Sequence, residues 1–264
     1  RGLVRGDSGH ISLLAAGDVN LAGLANILNT TSDSSIEVDA GQDIVMAADA
    51  TVTSVGSGNV RFEVGRDIQV ASISVGASSS AGKVALVAGG SIIDAHVSEG
   101  DQSSGTVNIV AAGLLMNAGA GVGSETNRIE TNVFTVSAHA ETEGMYLYDT
   151  TSVTVGQVSV TSQRVQEDAS LANAVSDLSG PVVDEQSDLQ TMAGGDLVLG
   201  AAAITVAEDA LVQAANGDVQ LLASGNITLS NSASLDAVNG NLEVTSTGGN
   251  IEVNDGVISA GGNL

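Results

Sequence analysis

The chain has 264 residues, enough for one large domain or two small ones, and sets 7 basic residues against 31 acidic ones for a net charge of −24. That balance argues against nucleic acid, whose phosphates need Lys and Arg, and against anionic membrane surfaces, while it favours divalent cations and keeps an apolar β protein in solution. The lack of Cys removes disulfides, thiolate metal sites and Cys nucleophiles, and 43% hydrophobic residues with two Phe, two Tyr and no Trp among 33 Gly suit a narrow aliphatic β core.

The chain opens on "RGLVRGDSGHISL". Arg5, Gly6 and Asp7 spell a tripeptide that many animal integrins recognise, which makes them candidate binding residues. The same stretch has a local task, because a turn must precede the strand His10-Ile11-Ser12-Leu13, and corner material is the expected reading. Next come "AGDVNLAG" (16–23) and, after it, Gly41-Gln42-Asp43 and "SGNVRFEVGRDIQVAS" (57–72). Each begins with Gly and an acid or amide at a corner, where Gly, Asn and Asp tolerate positive φ. Alternation in Val60-Arg61-Phe62-Glu63-Val64 puts Arg61 on the outward side, and Arg66 falls there too.

Asp18, Asp43 and Asp67 occupy one corner of successive repeats, 25 and then 24 residues apart. If stacked, their carboxylates would lie roughly 5 Å apart and repel by about 1 kcal/mol in water. They are candidate ligands for a Ca2+ ladder; in the simpler reading each accepts a backbone N–H in its own turn. Apart from that candidate Ca2+, no cofactor is expected to be required.

"AGKVALVAGGSIIDA" (81–95) varies the phrase, and 96–106 and 119–128 read as corner loops. In "GMYLYD", Tyr146 and Tyr148 alternate with Met145 and Leu147. Both rings therefore point outward on one face, either as a binding pair for a sugar or protein or as a patch covered by a loop such as 161–187. Residues 161–187 break the period and hold the only Pro, Pro181. Val165, Leu171, Val175 and Leu178 suggest one face of a short helix there. The regular phrase returns in "GGDLVLGA" (194–201), "NGDVQLLASGNITLSN" (216–231) and "NGNLEVTSTGGNIEVND" (239–255).

The phrases recur every 22–25 residues, each repeat holding two strands joined by a Gly-Asp/Asn corner and a third, less regular strand. This predicts an all-β chain: a right-handed parallel β-helix of about ten coils, with one irregular excursion at 161–187. The whole of 1–264 reads as a single solenoid segment of a longer protein. No apolar run approaches the roughly 18 residues of a membrane-spanning helix, so membrane insertion is not expected.

The phrases Gly17-Asp18-Val19-Asn20-Leu21, Gly217-Asp218-Val219-Gln220-Leu221, Gly225-Asn226-Ile227-Thr228-Leu229 and Gly240-Asn241-Leu242-Glu243-Val244 are similar to the repeats of filamentous-haemagglutinin-like bacterial adhesins. The resemblance covers roughly 9–160 and 187–264. It implies a long secreted or surface-anchored stalk on a bacterial cell, with attachment as its role and no catalytic residues. Its partners would be neighbouring repeats or end-to-end copies of itself, and a host or cell-surface glycan or protein. The alternative is a glycan- or protein-binding module that presents loops from the β-helix. A β-helical polysaccharide lyase or hydrolase comes third, since His10, His96 and His139 are scattered and fall in no catalytic motif.

Overall fold

A computed structural model describes residues 2–96, 106–174 and 185–264. The described residues form thirty strands and no helix, and twenty-six of the strands stack in parallel as a β-solenoid of about ten turns. The first complete turn is Ile11–Ala15, Val19–Leu21 and Asn26–Asn29, one strand per face. Each strand pairs with its counterpart one turn on. Three inward ladders result: Ile11, Ile36, Val60, Val84, Leu114 and Val136; Val19, Ile44, Ile68 and Ile92; and Ile27, Val52, Ile73 and Ile109. Further on, Leu189, Val212, Leu235 and Ile258 continue the pattern with Leu197, Val219 and Leu242, and with Ile204, Ile227 and Ile251.

Ladder members in the middle of the stack are fully buried, and Phe62, packed in register between Val38 and Leu86, is the one aromatic side chain in the core. A slim interior takes β-branched and Leu side chains in rows and has little room for rings, hence the aromatic shortage.

The register changes within Ile129–Ala140. This strand pairs with Met145–Asp149 as far as Thr131, then with Ser152–Val155 from Thr135 onward. The buried Asp149 carboxylate fills the break. It accepts from Thr131 Oγ1 (2.8 Å), the Val133 N–H (2.9 Å), the Thr151 N–H (2.8 Å) and Thr151 Oγ1 (2.8 Å). Four donors on one carboxylate offset its removal from water.

The excursion interrupts one rung: Val136 pairs with Val155, yet two residues later Ala138 pairs with Leu189. Its ends are pinched by an antiparallel pair, Val158–Ser159 with Glu185–Gln186. The helix expected from Val165 and Leu171 does not form. Gln163–Val165 instead pairs antiparallel with Leu171–Asn173, across a turn in which Asp168 Oδ1 accepts the Ser170 N–H at 2.9 Å. Val175, Leu178 and Pro181 lie outside the described residues. An extended segment wins because the solenoid supplies partners for its backbone. The Gln163 N–H donates to Ser35 Oγ (2.8 Å) and the Val165 N–H to Ser12 Oγ (2.9 Å). A helix would close those N–H groups on itself and leave the hydroxyls uncovered.

Candidate functional site

Arg5 and Gly6 belong to a strand, Leu3–Gly6, paired in parallel with Asn26–Asn29, so they are not corner material as expected. Both charges are exposed but engaged with each other: Arg5 Nε donates to Asp7 Oδ1 at 2.6 Å. Asp7 is held further by Thr30 Oγ1 (3.0 Å, on the same Oδ1) and by Thr31 Oγ1, which donates to its carbonyl at 2.6 Å. A partner reading both charges must first break that pair.

The Asp corners work between turns rather than within them. Asp18 Oδ1 accepts the Asp43 N–H (3.2 Å), Asp43 Oδ1 the Asp67 N–H (3.0 Å) and Asp67 Oδ1 the Ser91 N–H (2.7 Å). The same link joins Asp196 to Asp218, Asp218 to Asn241 and Asn226 to Asn250. Asp or Asn is required because a short side chain with an acceptor oxygen must reach one turn along the axis. Positive charge on the Asp18–Asp43–Asp67 row comes from Arg66, whose Nη2 lies 2.6 Å from Asp43 Oδ2 and 3.7 Å from Asp18 Oδ1. Among the described residues no three His, Asp or Glu side chains gather as a metal cluster.

Of the corner glycines, Gly195 before Asp196 has the expected positive φ (81°), but others do not. Gly41, Gly65 and Gly89 do not have positive φ. A Cβ on Gly65 would meet the Gly41 carbonyl oxygen at 2.4 Å, and one on Gly89 would meet that of Gly65 at 2.3 Å. Close stacking of backbones, not turn conformation, demands glycine here.

The excursion forms a strap across the outer side of the face built from Ile11–Ala15, Ile36–Ala40, Val60–Val64 and Lys83–Ala88. It advances two residues per turn. Lys83 Nζ donates to Ser159 O (3.2 Å), Asn59 Nδ2 to Thr161 O (2.7 Å), and Ser35 and Ser12 meet Gln163 and Val165. Val158 and Val160 pack on Ala85 and Leu115 in a small second core.

Beneath the strap lies a cluster of charges. Arg61 points away from the solenoid core, as its alternation requires, yet it is 1% exposed. Its Nη2 is 2.5 Å from Glu63 Oε2 and its Nη1 3.7 Å from Glu37 Oε1. From the strap, Arg164 grips both Glu37 oxygens through Nε (3.1 Å each) and donates from Nη2 to Glu37 Oε1 (2.8 Å) and Asp39 Oδ2 (2.6 Å). Asp39, at the rim, has its pKa raised above the ordinary value of 3.8. Burial is the main cause; Arg164 opposes it, and Glu63 and Glu37 reinforce it.

The folded chain therefore binds the Asp39 proton more tightly than the unfolded chain. The resulting stabilisation is complete below about pH 3.8 and is lost as pH rises through the raised folded value. Asp39→Asn is expected to melt at or above the wild-type temperature at pH 7, with the gap closing as pH falls towards 3.8. Parallel melting scans from pH 3 to 7 check this, and a variant less stable at pH 7 than at pH 3.8 relative to wild type would contradict it.

Tyr146 and Tyr148 do share an outward face, both partly exposed. The strap's described contacts lie on a different face, between Ser12 and Leu115, and do not cover them. Each ring lies against a glycine: a Cβ on Gly144 would meet Tyr146 Cε2 at 2.6 Å, and one on Gly200 would meet Tyr148 Cδ2 at 2.8 Å. Tyr146 lines a cleft of about 280 Å3 with Glu125, Asp196, Asp218 and Glu243; Tyr148 lines a second of about 230 Å3 with Gly200 and Leu222. Arg128 lines both. Burial, then Asp196 and Glu125, raise the Tyr146 pKa against the pull of Arg128, so its hydroxyl remains protonated at neutral pH and can donate.

Sequence reasoning missed Arg128, Arg164 and the Glu37–Arg61–Glu63 cluster. The signal for the last was present: Glu37 and Arg61 fall in register 24 residues apart, with Asp39 and Glu63 beside them. The histidines stay apart, His10 on Ser35, His96 on Asp94 and Asn108, and His139 near Glu141.

Comparison of the chain with protein-family models, curated proteins and solved structures gives no match, so the class of protein defined here, a parallel β-solenoid with a strapped face, rests on the ladder geometry alone.

Proposed function

We propose that the chain is a stalk or fibre segment of a long secreted or cell-surface adhesin, a rod whose work is mechanical rather than catalytic. The observation that carries this reading is the stack: inward ladders run from Ile11 to Ile258, and the described part of the excursion, through Ala174, lies against the side of the rod. Parallel pairing at each step resists separation of turns, and about ten turns at 4.8 Å give a rod roughly 50 Å long. The acidic exterior keeps such rods apart in solution.

Antibodies raised to the folded chain test the location. Staining of intact source cells is expected, and staining only after permeabilisation would overturn the reading. Deleting the coding sequence is expected to reduce attachment of those cells to surfaces; unchanged attachment would argue against adhesion.

A further inference from the structure

Arg128 stands apart from the other described arginines. Arg5, Arg61, Arg66 and Arg164 each hold a carboxylate. Arg128 is 6% exposed, makes no ion pair with any described residue, and its Nε is buried without a hydrogen-bond partner. A buried N–H left without an acceptor is costly, and such groups are normally satisfied. Because Arg128 lines both clefts, an acceptor delivered by a ligand can reach it.

We infer that Arg128, Tyr146 and Tyr148 form a binding site for a neutral, hydroxyl-rich oligosaccharide on the side of the rod. The two rings offer partly exposed aromatic surface for the C–H face of a sugar ring, and only the missing Cβ atoms of Gly144 and Gly200 leave room for them where they lie. Sugar oxygens accept from Arg128. Sugar hydroxyls donate to the carboxylates around the first cleft, where Asp196 and Asp218 commit Oδ1 to the corner ladder and leave Oδ2 to accept. An acidic sugar is excluded by the charge count: Glu125, Asp196, Asp218 and Glu243 outnumber the single Arg128 and repel an anion. An extended ligand follows from the register. Tyr146 is followed on successive turns by Val198, Gln220 and Glu243, and Tyr148 by Gly200, Leu222 and Thr245, so the clefts run along the rod axis. The inference stands independently of the stalk reading.

The chain reports on this site by itself, because Tyr146 and Tyr148 are its only tyrosines and it has no Trp. Titration with neutral gluco-, galacto- and mannohexaoses, followed by tyrosine emission and calorimetry, is expected to give a saturable change with at least one of them. Oligogalacturonate and sialylated oligosaccharides should give none. Tyr146→Ala and Tyr148→Ala should each weaken binding about tenfold, Arg128→Gln by at least as much, and Arg66→Gln should leave it unchanged. If Arg128→Gln does not fold, Gly200→Ala tests the same geometry, since its methyl group must displace the Tyr148 ring and weaken binding. No saturable response to any neutral hexaose, binding of acidic sugars only, or binding that survives the double tyrosine variant would each overturn the proposal.

Discussion

Arg61→Met is expected to destabilise the chain by about 3–5 kcal/mol, because it leaves two carboxylates buried without their shared cation. Glu37 and Glu63 are almost fully enclosed, and Arg61 lies between them in the ladder that joins Ile36–Ala40 to Val60–Val64. Arg164 still reaches Glu37 from the strap, but Glu63 loses its 2.5 Å partner. Two further measurements make the expectation specific. Arg66→Met, which breaks an exposed pair at 2.6 Å, should cost no more than about 1 kcal/mol. Combining Arg61→Met with Glu63→Leu should recover much of the loss, since an apolar pair of similar volume substitutes for a buried ion pair at little cost. Urea unfolding measures all three. Protease cleavage within 163–173 should accelerate in Arg61→Met, because repulsion beneath the strap loosens it first. An Arg61→Met variant as stable as wild type would mean that the strap does not seal the cluster.

The second large effect is expected at Gly65. Its Cβ would sit 2.4 Å from a backbone oxygen of the preceding turn, and backbone cannot move aside without parting the stack. Gly65→Ala should therefore cost at least the 1–3 kcal/mol typical of overpacking. The same motif supplies its own control. Gly17 lies at the same corner of the first complete turn, one position on, in register with Gln42 and Arg66 rather than with Gly65, and a Cβ there meets nothing within 4 Å. Gly17→Ala should fall within about 0.5 kcal/mol of wild type. Equal losses at the two sites would point to turn conformation, and a large loss at Gly65 alone to stacking. Melting temperatures of the two variants settle the comparison.

Much of the fold was legible in the sequence because its signals are local and repeated. Val60-Arg61-Phe62-Glu63-Val64 shows which side faces inward, and Asp18, Asp43 and Asp67 show the length of a turn. The excursion was legible only as a gap in the repeat. Val165 and Leu171 suggested a helix because spacing alone cannot reveal that Ser12 and Ser35 wait to accept an extended backbone. Of the candidate site, the tyrosine pair was readable from alternation. Arg128 was not: it ends a loop with no period, and its isolation from carboxylates in a chain of charge −24 is a property of space, not of spelling.

The sequence by itself determined the turn length, the inward ladders and the side of the strand on which each polar residue stands. These follow from period-two alternation and from a repeat of about two dozen residues, both of which act through neighbours in the chain or one turn away. Which outward residues meet water is set instead by long-range packing. Arg61 and Arg66 read alike in the alternation, yet one is sealed and the other exposed, because a segment more than a hundred residues later folds back over the first. Arg164 and Glu37 are 127 residues apart. No local pattern encodes a contact of that range, and it is there that burial encloses charges that alternation alone would leave at the surface.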